Sequence, residues 1–356
     1  MTAAGPLRFG VWALVNGAWG AKRHPDDPFD PSWARNRDQV LLAEELGYDS
    51  TLLAQHTINP AGDDRGHLEA WTASAALAAL TERIEIITAI KPFLYHPAVL
   101  AKQALQIAEI SGGRFSLNVV NGWFTPELTK TGLAGLDHDE RYAYGAEWLR
   151  IVRDLTAGER VDHDGKHFRI SDLVLAQGEP VTSRPTIYVG GESDPARDLV
   201  AGLGDVWFIN GQPLGDVRAL IETVAARPRR GPAVRYALSA FVIARESASR
   251  AQEAFDEAWE LQRRDAAELE AVRGGTDSRS VMFSTFARNP AVGTNGGTAA
   301  GLVGSYDEVA RRIADFHGIG IETFMLQFQP FDAEMRRFAE QVIPRVRDFV
   351  AAGSAA

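Results

Sequence analysis

Along the chain, short β-branched apolar runs alternate with stretches whose apolar residues recur at helical spacing, the pattern of βα units around a parallel sheet. Eight runs read as strands: LRFGVWAL (7–14), YDSTLLA (48–54), RIEIITAI (83–90), FSLNVVN (115–121), TIYVGG (186–191), DVWFIN (205–210), YALSAFVIA (236–244) and TFMLQF (323–328). Helical periodicity fills the intervals at roughly 34–46, 67–81, 97–111, 139–157, 194–203, 214–226, 247–270 and 305–318, with a last helix near 332–350. Eight such units predict an α/β fold of the TIM (β/α)8 barrel type rather than a doubly wound sheet. A dinucleotide-binding sheet would carry GxGxxG directly after an early strand, and no such motif occurs.

Two stretches exceed a minimal barrel. Residues 158–185 contain VDHDGKHFRI, a hairpin signature with Asp164-Gly165 at the turn. Residues 271–303, before the last strand, are weakly patterned and rich in Gly, Ser, Thr and Asn, so a mobile loop that closes over a site is expected there. The whole chain, 1–356, reads as one barrel domain with these insertions, and 351–356 as a frayed tail.

Composition narrows function by exclusion. A net charge of −10 gives no basic footprint for nucleic acid or acidic membranes. No apolar run approaches the roughly 18–20 residues of a membrane span. MTAAGPLRFG shows no basic-then-apolar leader, so a cytoplasmic protein is expected. With no cysteine, thiolate nucleophiles and Cys-ligated metals are excluded. The histidines form no HExxH motif, and His163 and His167 flank a DG turn that reads as a hairpin surface, so no metal site is expected.

Candidate chemistry sits at the C-terminal tips of the strands, where barrel enzymes build their sites. Trp12 follows the first strand, Gln55 and His56 the second, Ala89 and Lys91 the third. The fourth, within RFSLNVVNGWFTPEL (114–128), ends a core strand in two amides, Asn118 and Asn121, beside Trp123. Such amides need partners once they leave water. The fifth supplies Gly190, Gly191, Glu192 and Ser193, the sixth Asn210, the seventh Phe241, and the eighth Gln327 and Gln329. This aromatic, amide-rich set suits a flat, heteroatom-bearing ligand better than a metal or a hydrolytic acid–base pair. YVGGESDPARDL is either a phosphate cradle at a helix start or a plain βα turn capped by Ser193. Arg141 and Tyr142 in HDERYAYGAEWL belong either to a solvated helix face or to a phosphate clamp. His56 reads equally as a structural or a catalytic histidine.

Taken in order, TAIKPFLYHPAVLAKQ (88–103), ISGGRFSLNVVNGW (110–123), HDERYAYGAEWLR (138–150), PTIYVGGESDPARDLVA (185–201) and GTAAGLVGSYDEVARRI (297–313) make the chain similar to the bacterial-luciferase-like, flavin-dependent monooxygenase superfamily. Within it the chain most resembles the dimethylsulfone monooxygenase type, with the alkanesulfonate and pyrimidine types as cousins. The resemblance implies a two-component enzyme: FMN reduced by a separate NAD(P)H:flavin reductase, O2 as co-substrate and a flavin (hydro)peroxide as oxidant. A homodimer or homotetramer is expected. It assigns the flavin ring to Gln55, His56, Ala89 and Asn118, with a further contact at Glu127. The ribityl-phosphate end falls to Arg141, Tyr142, Gly191 and Ser193. Asn118 and His56 are then the expected catalytic residues, and Trp12, Asn121, Trp123 and Phe241 the expected substrate lining. A non-proline cis peptide is expected around Ala89–Ile90.

Departures from the cousins shape the substrate expectation. Ser239-Ala240-Phe241 stands where the alkanesulfonate type has Arg-x-His, and GTNGG lacks that type's arginine before the glycines. A pocket without those cations fits a small neutral or weakly polar substrate, such as a sulfone, thioether or heterocycle. Ala89, where the pyrimidine type has threonine, leaves C4a and N5 oxygen transfer both open. An F420-dependent oxidoreductase on the same barrel and a non-catalytic flavin-binding protein are the alternatives.

Overall fold

Eight parallel strands close on themselves: β1 (Arg8–Trp12), β2 (Ser50–Leu53), β3 (Glu85–Ile90), β4 (Phe115–Val119), β5 (Thr186–Gly190), β6 (Val206–Ile209), β7 (Arg235–Phe241) and β8 (Ile321–Gln327). The computed structural model describes residues 5–133, 135, 137–179, 183–276 and 291–354. Closure comes where β1 pairs with β8 through Phe9↔Phe324 and Val11↔Leu326, and with β2 through Gly10↔Ser50. Both faces of the strands are covered, one by the barrel interior and one by the helix layer, so strands such as β3 and β6 are buried along nearly their whole length and mostly apolar instead of alternating.

Helices α1 (Trp33–Glu45), α2 (Ala70–Leu80), α3 (Pro97–Ile110), α4 (His138–Thr156), α5 (Asp194–Leu203), α6 (Leu214–Ala225), α7 (Ala248–Arg263) and α8 (Tyr306–Gly318) follow the strands. Their starts have local causes. The Ser32 hydroxyl accepts from Arg35 N–H, and Asp137 and Ser305 form capping boxes with Glu140 and Glu308. Proline in the first turn of α3 and α5 occupies positions that need no donated hydrogen bond.

Several expectations shift. The run 236–244 is two strands: β7 ends at Phe241, and Ile243–Arg245 leaves the barrel to pair with Val303–Ser305, because Leu302 O captures Ile243 N–H at 3.0 Å. The helix expected over 247–270 breaks after Arg263, where Asp265 turns inward to accept Lys22 N–H at 2.5 Å, and resumes as Ala266–Gly274. The last helix divides into Phe331–Gln341 and Ile343–Ser354 at Val342, two residues before Pro344, which has no N–H to carry the helical ladder across the join. That second piece continues through 351–354, so the expected frayed tail is helical there. The 158–185 insertion does form an antiparallel hairpin, Val161–Asp164 with Arg169–Leu173, closed by a longer connection than a two-residue turn. The centre of the expected mobile loop, 277–290, lies outside the described residues. Ala89–Ile90 is trans: β3 keeps its regular ladder there, Ile90 O accepting from Val120 N–H at 2.9 Å, and the cis bond among the described residues is Gln329–Pro330.

On the face opposite the strand tips, Arg114 ties α2 to the barrel. Its Nη1 donates to Ile84 O at 2.8 Å and Thr81 Oγ1 at 3.0 Å, its Nη2 to Thr81 O at 2.7 Å and Ala78 O at 3.2 Å. Lysine cannot reproduce this planar fork. Arg114→Lys is expected to lower the unfolding free energy by about 1–3 kcal/mol in urea denaturation; an unchanged midpoint would contradict the assignment.

Candidate active site

The C-terminal strand ends open into a cavity of about 470 Å3, within the roughly 300–1,000 Å3 usual for cofactor and small-molecule sites. Trp12, Gln55, His56, Ala89 and Asn118 line it from β1 to β4 and their tips. Asn121, Trp123, Tyr142, Gly191 and Ser193 line it from later connections. Glu127, Arg141 and Phe241 are not among its lining residues. Glu127 lies behind the wall, holding two residues that face the cavity. Arg141 is buried on α4 next to Tyr142, and adjacent helical positions point about 100° apart. Phe241 packs with Ile243 and Val292 beneath the turn at Gly293, so it supports a wall and does not form one.

The floor is an ionic cluster. Lys91, just past β3, is 1% exposed, and its Nζ donates to Gln55 O at 2.6 Å and meets Glu127 Oε2 at 2.7 Å. Glu127 sits in the short helix Thr125–Lys130 and also accepts from Thr57 N–H. His56 Nδ1 lies 3.2 Å from Glu127 Oε2 and 3.3 Å from Lys91 Nζ. One charge pair thereby pins the loops after β2, β3 and β4. Burial tends to raise the Glu127 carboxyl, but the bond to His56 and the Lys91 charge prevail and hold it at about 2. Burial, then the Lys91 charge, push His56 down to about 4, so its imidazole is neutral at neutral pH.

The opposite wall is built from a tight turn. Gly191 has φ +108°, and a Cβ there would stand 3.0 Å from Tyr142 Oη. Trp207 Nε1 donates to Gly191 O at 2.8 Å and fixes the turn. Ser193 is the N-cap of α5 without a side-chain capping bond, and its Oγ is buried with no protein partner. Asn118 Oδ1 is buried in the same way, 3.6 Å from where a Cβ on Gly190 would lie. A serine hydroxyl, free helix-start amides and a tyrosine hydroxyl form a donor set suited to an anion such as phosphate. The Asn121 carboxamide rests on Gly145 of α4, where a Cβ would collide with it. Between Gly191 and Ser193, the buried Glu192 carboxylate accepts from Asn210 N–H at 2.7 Å and Gln212 Nε2 at 2.8 Å.

The remaining side is carbon. Trp12 lies 5.0 Å from Trp19 and 5.6 Å from Phe208 between ring centroids. Both indole N–H groups point into the protein, to Ser239 Oγ and Ala13 O, so the box carries no free indole donor. Gln327 and Gln329, read as strand-tip residues, hold loops instead. Gln327 brackets Thr294, and Gln329 brackets Ala21. Gln262 joins Gln327 in fixing the 291–295 turn, accepting from Gly293 N–H and donating to Ala291 O. Sequence reading gave no role to Trp19, which lies in an unpatterned loop, or to Lys91 as the partner of Glu127. A lone cation closing the apolar run ITAIKPF was the available signal for a buried counter-charge.

Lys91→Met leaves Glu127 short of its counter-charge and is expected to cost about 3–5 kcal/mol of stability. The same change raises the His56 pKa from its value of about 4, seen by NMR titration of the ring. Adding Glu127→Leu restores much of the stability; a single mutant as stable as wild type would contradict the cluster. Because folding lowers the pKa values of His56 and Glu127, these two groups bind more protons in the unfolded chain below pH 6.5. Their share of the stability is thus full above pH 6.5 and falls as pH drops towards 4 for His56 and from 4.5 towards 2 for Glu127, checked by urea titrations across pH that compare wild type with the Lys91→Met, Glu127→Leu double variant.

Residues 7–323 match the sequence profile of the family described as luciferase-like monooxygenase. The chain is 30% identical over 358 residues to the FMNH2-dependent dimethylsulfone monooxygenase of Pseudomonas putida, covering 96% of each. Among solved structures, a riboflavin lyase with modified FMN and riboflavin superposes with a TM-score of 0.79 at 21% identity, over 97% of this chain and 92% of the other. A long-chain alkane monooxygenase gives a TM-score of 0.79 at 18% identity, over 98% and 92%. These two structural likenesses speak for the barrel, while the profile match spans most of the sequence. The chain belongs to the luciferase-like monooxygenase family.

Proposed function

We propose that the cavity seats reduced FMN and that the protein catalyses O2-dependent monooxygenation of a small neutral or weakly polar molecule. The observation that carries this reading is the pair of buried, unpartnered polar atoms, Asn118 Oδ1 and Ser193 Oγ, on residues lining one cavity beside the Gly190–Gly191 turn. A flavin fits both, with ring heteroatoms for the amide and a phosphate for the hydroxyl at the helix start. When bound, reduced FMN supplies the electrons and the oxygen-activating centre.

The chain's own part is placement and exclusion of water. Ser193 Oγ, the first amides of α5 and Tyr142 Oη hold the phosphate end, with Arg141 adding positive charge from α4. Gln55, His56 and Ala89 bound the ring, and Asn118 orients it from β4. His56 keeps Nδ1 on Glu127, which leaves Nε2 as the atom able to take a proton on the cavity side. Glu127 acts through His56 and Lys91 and does not itself touch the ring. Trp12, Trp19 and Phe208 hold substrate by contact with carbon, which favours a sulfone, thioether or heterocycle over an anion. Dimethylsulfone, named for the Pseudomonas putida relative, is of this class. Asn121 and Trp123, whose ring lies 5.6 Å from His56, complete the substrate side. A separate NAD(P)H:flavin reductase supplies the FMNH2.

Ser193→Ala is expected to weaken FMN binding about tenfold or more, since a hydrogen bond to a charged group is worth about 1.5–3 kcal/mol. Asn118→Ala weakens FMN binding less than Ser193→Ala, by the roughly 0.5–1.5 kcal/mol of a neutral hydrogen bond, and loses turnover, read by mass spectrometry with a reductase, NADH and a panel of sulfones, thioethers and heterocycles. F420 binding without FMN binding would overturn the cofactor assignment, and full turnover in Asn118→Ala would remove that residue's role.

A further inference from the structure

Glu192 occupies an unusual place for a carboxylate. It is 3% exposed, lines the cavity, and stands in sequence between Gly191 and Ser193, the two residues assigned to the phosphate end. Its hydrogen bonds come from neutral amides, the backbone of Asn210 and the side chain of Gln212. The β6 connection therefore brings it no charge. From α5 come Asp194 and Arg197, 3.3 Å apart, with Asp194 also 2.9 Å from Arg227. From α4 come Tyr142, beside Gly191, then His138 against the Tyr142 ring, and Arg141. The charge felt at Glu192 is that of Arg197, which is the smallest of the influences on it.

We propose that Glu192 makes cofactor binding proton-linked: seating the phosphate-bearing flavin is accompanied by uptake of one proton from solvent onto the Glu192 carboxylate. This rests on the FMN reading above. A doubly charged phosphate at Ser193 brings negative charge next to a carboxylate already shut away from water, and two anions sharing such a site disfavour each other. Protonation removes that repulsion and gives the carboxyl an O–H to donate. Burial outweighs the hydrogen bonds from Asn210 and Gln212 and already raises Glu192 to about 7, so the added proton is available near neutral pH. The sign follows: affinity for FMN is full while Glu192 is protonated and falls as pH rises through its ionisation.

Calorimetric titration with oxidised FMN, in buffers of different ionisation heat near pH 7.5, where a carboxyl raised to about 7 is mostly ionised, counts the protons directly. Wild type is expected to take up a large fraction of one proton, and Glu192→Gln none. Above pH ~7 the phosphate, with its second pKa near 6, is already doubly ionised. The wild-type dissociation constant should then rise by up to about tenfold per pH unit, while that of Glu192→Gln stays flat. Gln212→Leu removes a donor to the carboxylate and should move the wild-type rise to higher pH. Riboflavin, which lacks the phosphate, should take up less than FMN. Glu192→Gln keeps the size of the side chain, and its melting temperature without flavin verifies the fold. Bound FMN with no proton uptake, or with the same uptake in Glu192→Gln, overturns this inference alone; equal uptake with riboflavin overturns the phosphate as its cause. No binding of FMN at any pH, either oxidised or reduced under anaerobic conditions, overturns the FMN reading and this inference together.

Discussion

Lys91 and Glu127 meet 2.7 Å apart at the floor of the cavity, both shut away from water, and the loops after β2, β3 and β4 are positioned through that contact. A buried ion pair adds little net stability over an apolar substitute, but breaking one partner is expensive. The pair therefore acts mainly as a register pin. Gln55 is held by its carbonyl, Thr57 by its amide, and His56 by Nδ1, all on the same two side chains. The cluster also decides a protonation state, because the Lys91 charge reinforces burial in keeping His56 neutral.

The other walls use different physics. The β5 turn has a glycine where a side chain would crowd Tyr142, and it leads into the start of α5, where the Ser193 hydroxyl has no capping bond and the helix end favours an anion. The aromatic box consumes its own N–H groups and leaves carbon facing inward. Charge on the floor, donors at one end and apolar faces on the remaining side divide the cavity into regions with separate tasks. Gln262 and Gln327 anchor the 291–295 turn, and Thr125 N–H holds Gly275 O at 2.9 Å, so both flanks of the 277–290 segment are fastened around the same opening.

Much of this architecture was legible in the sequence. Eight apolar runs with β-branched residues, each followed by helical periodicity, could be satisfied by a closed parallel barrel, and strand tips then pointed to the cavity residues. What could not be read was which way side chains turn once distant segments meet. Glu127 looked like a ligand contact, yet its partners Lys91 and His56 lie far along the chain and draw it behind the wall. Phe241 is at a strand tip, but the 291–295 turn covers it. The break at Asp265 depends on Lys22 arriving from the loop after β1, a contact with no local signal. The division at Pro344 was different: the proline was visible, and the apolar periodicity on both sides of it masked its effect.

A crystal structure of the protein soaked with FMN would show where the flavin sits. The isoalloxazine ring is expected between Asn118 and the Gln55–His56 tip, and the phosphate within hydrogen-bond reach of Ser193 Oγ at the start of α5. Flavin seated elsewhere on the barrel, or bound in this cavity with its phosphate turned away from α5, would contradict that placement.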